Sequence, residues 1–265
     1  MAATSDNIRF HLSANRPEGD TGTSGGARDA TMQLLLAANA DIGGAGAKVD
    51  FVSTSASDTQ NVTVAGYGAG GAWLTETIAL TGTANKQTTN TYLYVCKIQL
   101  ASVAIGTITC AQFGALSNVI HTIPAGEKGA ARLFLGAVAN AAGGASKVLY
   151  EKVYVGNNHA TDAIIAATFA ISVDSASELA GALEKAANAQ VTGGTESVAA
   201  RTTEPTGGGS YTWGELTTPA AVGDAGDGNL TAGEYQGVWL RLTLAAGRAP
   251  TQATGYTLTV AGPAS

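Results

Sequence analysis

Charge is what this chain has least of. Only 13% of its 265 residues are Asp, Glu, Lys or Arg, about half the share usual in soluble domains. A surface that cannot be coated with charge fits a secreted low-charge β-protein or a subunit whose neighbours cover it. Positive charge is scarcer still. Fourteen Lys and Arg against 20 Asp and Glu leave a net charge of −6. No basic cluster that would grip a run of phosphates is present, so no direct nucleic-acid binding is expected. Long apolar runs are also missing. The longest, "AIIAATFAISV" at 163–173, falls short of the roughly 20 residues that a spanning helix needs, and no membrane partner is expected. The opening "MAATSDNIRFHLSANRPEGD" lacks a basic region followed by an apolar run. It is not read as a secretory signal, and synthesis and folding in a cytoplasm are expected.

Cysteine and histidine are as thin. Cys96 and Cys110 lie in strand-like runs, "TYLYVCKIQL" and "IGTITC". Neighbouring strands could bring them together, but a reducing compartment and burial favour two free thiols. His11, His121 and His159 lie far apart, and none has a Cys, His or carboxylate at zinc-ligand spacing. They read as surface or hydrogen-bonded residues. "GYGAGG" matches G-x-G-x-x-G through Gly66, Gly68 and Gly71, but a dinucleotide site needs a helix next. Here "AWLTETIALTG" reads as a strand, so the match is a hairpin loop. "GGAGAK" at 43–48 lacks the spacing and the Ser or Thr of a phosphate loop, and no G-x-S-x-G elbow occurs. The carboxylates Asp58, Glu76, Glu127, Glu151 and Glu178 are scattered and read as facing water. No enzyme activity and no cofactor are expected.

What is present is strand and turn. Apolar residues make up 45%, and there are 35 glycines. From about residue 48, short β-branched or aromatic runs alternate with turns every ten residues or so, the pattern of an all-β sandwich or barrel. The expected organisation is an extended N-terminal arm over 1–45, a β-sandwich over 46–125, a Gly/Ala-rich linker over 126–147 and a second β-sandwich over 148–265. Both sandwiches are expected to be antiparallel and jelly-roll or Ig-like. Within 1–45, "ATMQLLLAANADIGG" is either a short strand or one helical turn, and deletion of residues 1–30 is expected to leave a folded protein that no longer assembles. In 148–157, Leu149, Glu151, Val153 and Val155 oppose Val148, Tyr150, Lys152 and Tyr154. The nearly all-apolar "TDAIIAATFAISVD" reads as a strand that is central or buried on both faces. "SASELAGALEKAANAQ" is the best helix candidate, with Ser175 or Ser177 as cap and Leu179, Leu183 and Ala187 spaced by four. An irregular crossover fits it equally.

Two segments are candidate sites. "GDAGDGNLTAGE" at 223–234 places Asp224, Asp227, Asn229 and Glu234 in a glycine-rich loop. These are hard oxygen ligands suited to calcium, though the register is wrong for a helix–loop–helix site, and a tight solvated turn explains the same residues. The sequons at Asn61 and Asn229 read as chance matches. In "NLTAGEYQGVWLRLTL" at 229–244, Val238, Leu240, Leu242 and Leu244 share one side of a strand, leaving Trp239 and Arg241 outward. Trp and Arg are enriched where interfaces carry their energy. With Trp73 and Trp213 they are the expected interface residues. The alternative is that the tryptophans stack sugars, or that Trp239 is covered by a loop of its own domain.

"VTVAGYGAGGAWLTETIALTGT", followed by "TYLYVCKIQL" and "IGTITC", resembles a β-sandwich module of tailed-bacteriophage virion proteins. The likeness rests on an E-x-(I/V)-x-L-x-G-T strand, here Glu76 to Thr83, and on a late GVW-[IL]-R strand, here Gly237 to Arg241. It implies a non-enzymatic assembly subunit located in the virion: a capsid decoration, neck or collar protein that packs against copies of itself and other virion proteins. The alternative in the same class is a tail or baseplate protein that binds carbohydrate or a receptor.

Overall fold

A computed structural model describes residues 8–36, 40–137, 139–173, 178–184, 194–207, 210–214, 216–221, 228–247 and 256–263. The fold is all-β. In chain order the strands are β1 (Ile8–Asn15), β2 (Ser24–Leu34), β3 (Val49–Ser53), β4 (Asn61–Tyr67), β5 (Trp73–Ala79), β6 (Lys86–Gln87), β7 (Tyr94–Leu100), β8 (Ile108–Gln112) and β9 (Ala115–Ile123). They continue with β10 (Gly129–Ala131), β11 (Lys147–Asn157), β12 (Thr168–Val173), β13 (Leu179–Leu183), β14 (Ser197–Val198), β15 (Leu216–Ala221), β16 (Tyr235–Leu244) and β17 (Tyr256–Ala261). Two compact units result. One is Ala30–Arg132, and the other combines Met1–Asp29 with Leu133–Ser265.

In the Ala30–Arg132 unit, one run of strands is ordered β10-β7-β4-β5 and a separate sheet is ordered β6-β3-β8-β9. Period-two alternation sends one side of each inward. Val62 and Val64 of β4, Ile98 and Leu100 of β7, Phe51 of β3 and Ile108 and Cys110 of β8 meet in a single core. Each such side chain contributes about 1.5–3 kcal/mol by leaving water. Both thiols are free and buried. Burial pushes the Cys96 thiol up to about 11, so it is inert at neutral pH.

The loops of this unit are held by carboxylates. Asp58 is fully buried. It accepts the Ile105 and Gly106 N–H groups at 2.8 and 2.9 Å, the Ser53 hydroxyl at 2.5 Å and the Gln60 amide at 3.2 Å. Burial alone would raise its pKa, but the four donors together hold it below the usual carboxylate range. The G-x-G-x-x-G match is a hairpin: β4 and β5 pair antiparallel from Tyr67↔Trp73 to Asn61↔Ala79. Gly66 sits where the β4–β7 register shifts, and a Cβ there would lie 2.0 Å from the Tyr94 carbonyl oxygen. This glycine lets two backbones close up.

The other unit is ordered β13-β16-β11-β1 and onward to the start of β2, with β14 beside β2, and has a small sheet ordered β15-β12-β17. Its spine is the ten-residue antiparallel ladder of β11 and β16, from Lys147↔Leu244 to Gly156↔Tyr235. Strand β12 is the middle of its sheet, as the apolar run at 163–173 implies.

Several expectations are corrected. Within the arm expected over 1–45, the described residues 8–34 are not extended away from the fold: β1 pairs with β11 from Ile8↔Asn157 to Leu12↔Val153, and Leu12 is fully buried. The polar letters of 8–34 misled because they alternate at strand spacing beside partners far along the chain. Residues 126–147 are not simply a linker, since β10 lies within them and pairs on both sides, with β7 and β2. Its ladder with β2 is parallel, so the sheets are not wholly antiparallel. On its other side Gly129 lets β10 close on β7: its φ is +142°, and a Cβ would fall 2.0 Å from the Ile98 oxygen. The helix expected around Leu179 and Leu183 is strand β13. Its small residues face large ones on β16, with Ala182 opposite Trp239 and Ala180 opposite Arg241. Ser175, Ser177 and Ala187 lie outside the described residues.

Candidate functional site

Strand β11 carries two adjacent charges, Glu151 and Lys152, which pleating sends to opposite faces. The surrounding "KVLYEKVYVGN" is buried along nearly its whole length. Neither ion meets water, so each requires a counter-ion brought from elsewhere in the chain. Glu151 was expected to face water; instead β11 and most of β16 are buried.

On one face Glu151 forms an ion pair with Arg201 at 2.6 Å and accepts the Phe134 N–H at 2.7 Å. Arg201 is fully buried and also donates to the Leu135 carbonyl at 2.8 Å. Burial raises the Glu151 carboxyl to about 7 against the pull of Arg201. A carboxyl raised in the folded state adds stability that is complete below its unfolded value, near 4.5, and is lost as pH rises through the folded one. Wild type should therefore lose up to about 3 kcal/mol relative to Glu151→Gln as pH climbs from about 4.5 to above 7. Urea titrations of both proteins across that range check it; parallel curves would refute the assignment.

On the other face the Lys152 ammonium meets the Glu184 carboxylate at 3.0 Å, and both side chains are fully buried. Lys152 also donates to the Glu196 carbonyl at 2.8 Å, and the Glu196 N–H donates to Glu184 at 3.0 Å. The Glu196 carboxylate is a hub. It accepts the Trp239 indole N–H at 2.9 Å, the Gly207 N–H at 2.5 Å and the Tyr211 hydroxyl. Tyr154 donates its hydroxyl to the Gly26 and Gly194 carbonyls. Desolvation pulls Lys152 down and pushes Glu184 up, each opposed by the other's charge.

Trp239 was expected outward at an interface. It is fully buried, packed with Tyr150, Ala182, Val198 and Tyr211 of its own unit. Arg241, on the same face of β16, is half-buried with its guanidinium 5.4 Å from the Trp213 ring centre. Trp213 is half-buried against Tyr150 and Tyr211, and its indole N–H reaches Glu204 at 2.6 Å. Trp239, Arg241 and Trp213 thus converge on an internal cluster. Trp73 is different. It stands 45% exposed on β5 of the other unit, edge-on to Tyr67 with ring centres 4.9 Å apart.

Of the calcium candidates, Asp224 and Asp227 lie outside the described residues. Asn229 accepts the Ala166 N–H at 2.9 Å, and Glu234 accepts the Thr231 N–H at 2.7 Å. The first ties two distant loops together and the second shapes a local turn. Among the described residues no three His, Cys, Asp or Glu gather as a metal would require. His121 is half-buried, and desolvation depresses it to about 4. The His159 ring nitrogen accepts the Asp162 N–H at 2.9 Å in a turn.

Lys152, Glu184, Glu196, Arg201 and Tyr211 were not singled out from sequence. The available signal was a Glu–Lys pair inside an otherwise apolar strand. Compared with known protein families, characterised proteins and solved structures, the chain matches none of them.

Proposed function

We propose that this chain is a non-enzymatic structural subunit of a tailed-bacteriophage particle, built on two β-sandwich units. It acts by packing against copies of itself and other virion proteins, as a capsid decoration or as a neck or collar protein at the head–tail junction. The disposition of charge carries the reading. Asp58, Glu151, Lys152, Glu184 and Arg201 are buried and tied to partners within the chain. Ions held this way stiffen a scaffold and are not available to a substrate. The exposed side of β5 displays Trp73, Thr75, Thr77 and Ala79, none of them charged. An uncharged surface bearing a tryptophan suits contact with protein. The resemblance carried by Glu76–Thr83 and Gly237–Arg241 points the same way. Immunogold electron microscopy of gradient-purified particles, from the phage that encodes this chain, should show label at regular positions. Particles that lack the chain would end the proposal.

One feature favours a second reading, a tail or baseplate protein that binds carbohydrate or a receptor. Trp73 and Tyr67 form a partly exposed aromatic pair, a surface on which a sugar ring can stack. A glycan array separates the two, because a scaffold shows no selective binding.

A further inference from the structure

Strand β5 is the last strand of its sheet and makes its ladder with β4. No other described residue hydrogen-bonds the backbone of Trp73–Ala79. Every second N–H and C=O of β5 on its outer edge is therefore open. Folded proteins usually guard such an edge with Lys, Pro, a bulge or a very short strand. β5 has none of these. It is seven residues long, "WLTETIA", and its seven pairs with β4 run without a register shift. Its one charge, Glu76, lies on the same side as the core-packed Leu74 and Ile78. Its carboxylate is held by the Thr89 and Asn90 N–H groups at 2.7 and 2.8 Å, so it does not screen the edge.

We propose that β5 is the seam on which a second copy of this chain pairs, strand to strand and antiparallel, about a two-fold axis through Thr75. A second copy fits for three reasons. The outward side chains are uncharged, so two molecules of net charge −6 meet there without like charges facing. The strand is complementary to itself. With Thr75 opposite Thr75, Trp73 falls opposite Thr77, and Thr–Thr and aromatic–β-branched pairs are favoured cross-strand neighbours. β5 already makes the first kind of contact with β4, where the Thr63 and Thr77 hydroxyls lie 2.9 Å apart. The register also sets Glu76 opposite Leu74 and keeps the two carboxylates from meeting, which a two-fold axis through Glu76 would not. Trp73, steadied by Tyr67, loses water on pairing. The contact is isologous and closes on itself. It concerns the free chain in solution and stands whether or not the chain is a particle subunit.

Sedimentation of the full chain over rising concentration should show a reversible dimer. Thr75→Lys, on an exposed side chain, should weaken dimerisation at least about tenfold with unchanged circular dichroism and melting. Under mild oxidation Thr75→Cys should give a covalent dimer and Thr77→Cys should not, because only residues facing across the axis come within disulfide reach. The native thiols add little background, both being buried. A wild-type chain that stays monomeric overturns the proposal. So does a Thr75→Lys protein that associates like wild type, and equal cross-linking of the two cysteine variants overturns the register.

Discussion

Lys152→Met should lower the unfolding free energy by about 3–5 kcal/mol, a fall of roughly 10 °C in melting temperature. The lost attraction is the smaller part of this. The variant strands Glu184, which is fully buried and keeps only the Glu196 N–H at 3.0 Å on its carboxylate. An ion left without a counter-charge in the interior takes up a proton instead, so the carboxyl rises further in the folded state. The sign follows: a raised carboxyl adds stability at acid pH and loses it as pH climbs. The deficit of Lys152→Met should therefore be smallest near pH 4 and largest above neutrality. Adding Glu184→Gln should restore most of the loss, since a buried pair replaced by neutral groups is often near neutral in stability. Denaturant unfolding of the two single variants and the double variant at acid and neutral pH measures all of this. Additive losses would mean that the pair does not act as a unit.

Trp239→Ala should cost about 3–5 kcal/mol. Were Trp239 an interface residue, its loss would leave the free chain's stability nearly unchanged and weaken only assembly. In the fold it fills the space beside Ala182 and Val198, and its indole N–H is one of three donors that hold the Glu196 carboxylate. Truncation opens a cavity and leaves Glu196 one donor short. Trp239→Phe separates the two effects: it keeps most of the volume, loses the N–H, and should cost about 1–3 kcal/mol. Chemical denaturation with tyrosine fluorescence or circular dichroism distinguishes these outcomes. A Trp239→Ala protein as stable as wild type would contradict the burial.

Strand character was legible in the sequence. The alternation in "QNVTVAGYG" and "AWLTETIALTG" located β4 and β5 and read the glycines between them as a hairpin. The parity of Leu149, Glu151, Val153 and Val155 was also correct. What alternation does not reveal is whether the polar parity meets water. Lys152 and Trp239 share a face that Glu196, Val198 and Tyr211 cover, and that cover depends on Glu196, a residue with no local pattern around it. The N-terminal strands were missed for a related reason. β1 lies between β2 and β11, and no local signal announces a partner as distant as β11. The strand at Leu179–Leu183 was hidden by its leucine spacing, since a four-residue interval is also two steps of a period-two pattern. Trp73 alone among the four expected interface residues counts as exposed.

The unit that contains β1 is made of two stretches of chain separated by Ala30–Arg132. On the ribosome this imposes an order. Residues 30–132 emerge complete while β1 still waits, because Ile8 pairs with Asn157 and Leu12 with Val153. The intervening unit has every partner it needs and folds first. The first strand meanwhile has β2 on one side but lacks β11, its neighbour on the other, until residues 153–157 have been translated. Nascent chains halted before β11 should thus hold a finished central body and a protease-sensitive leader, the stage at which a chaperone has most to bind.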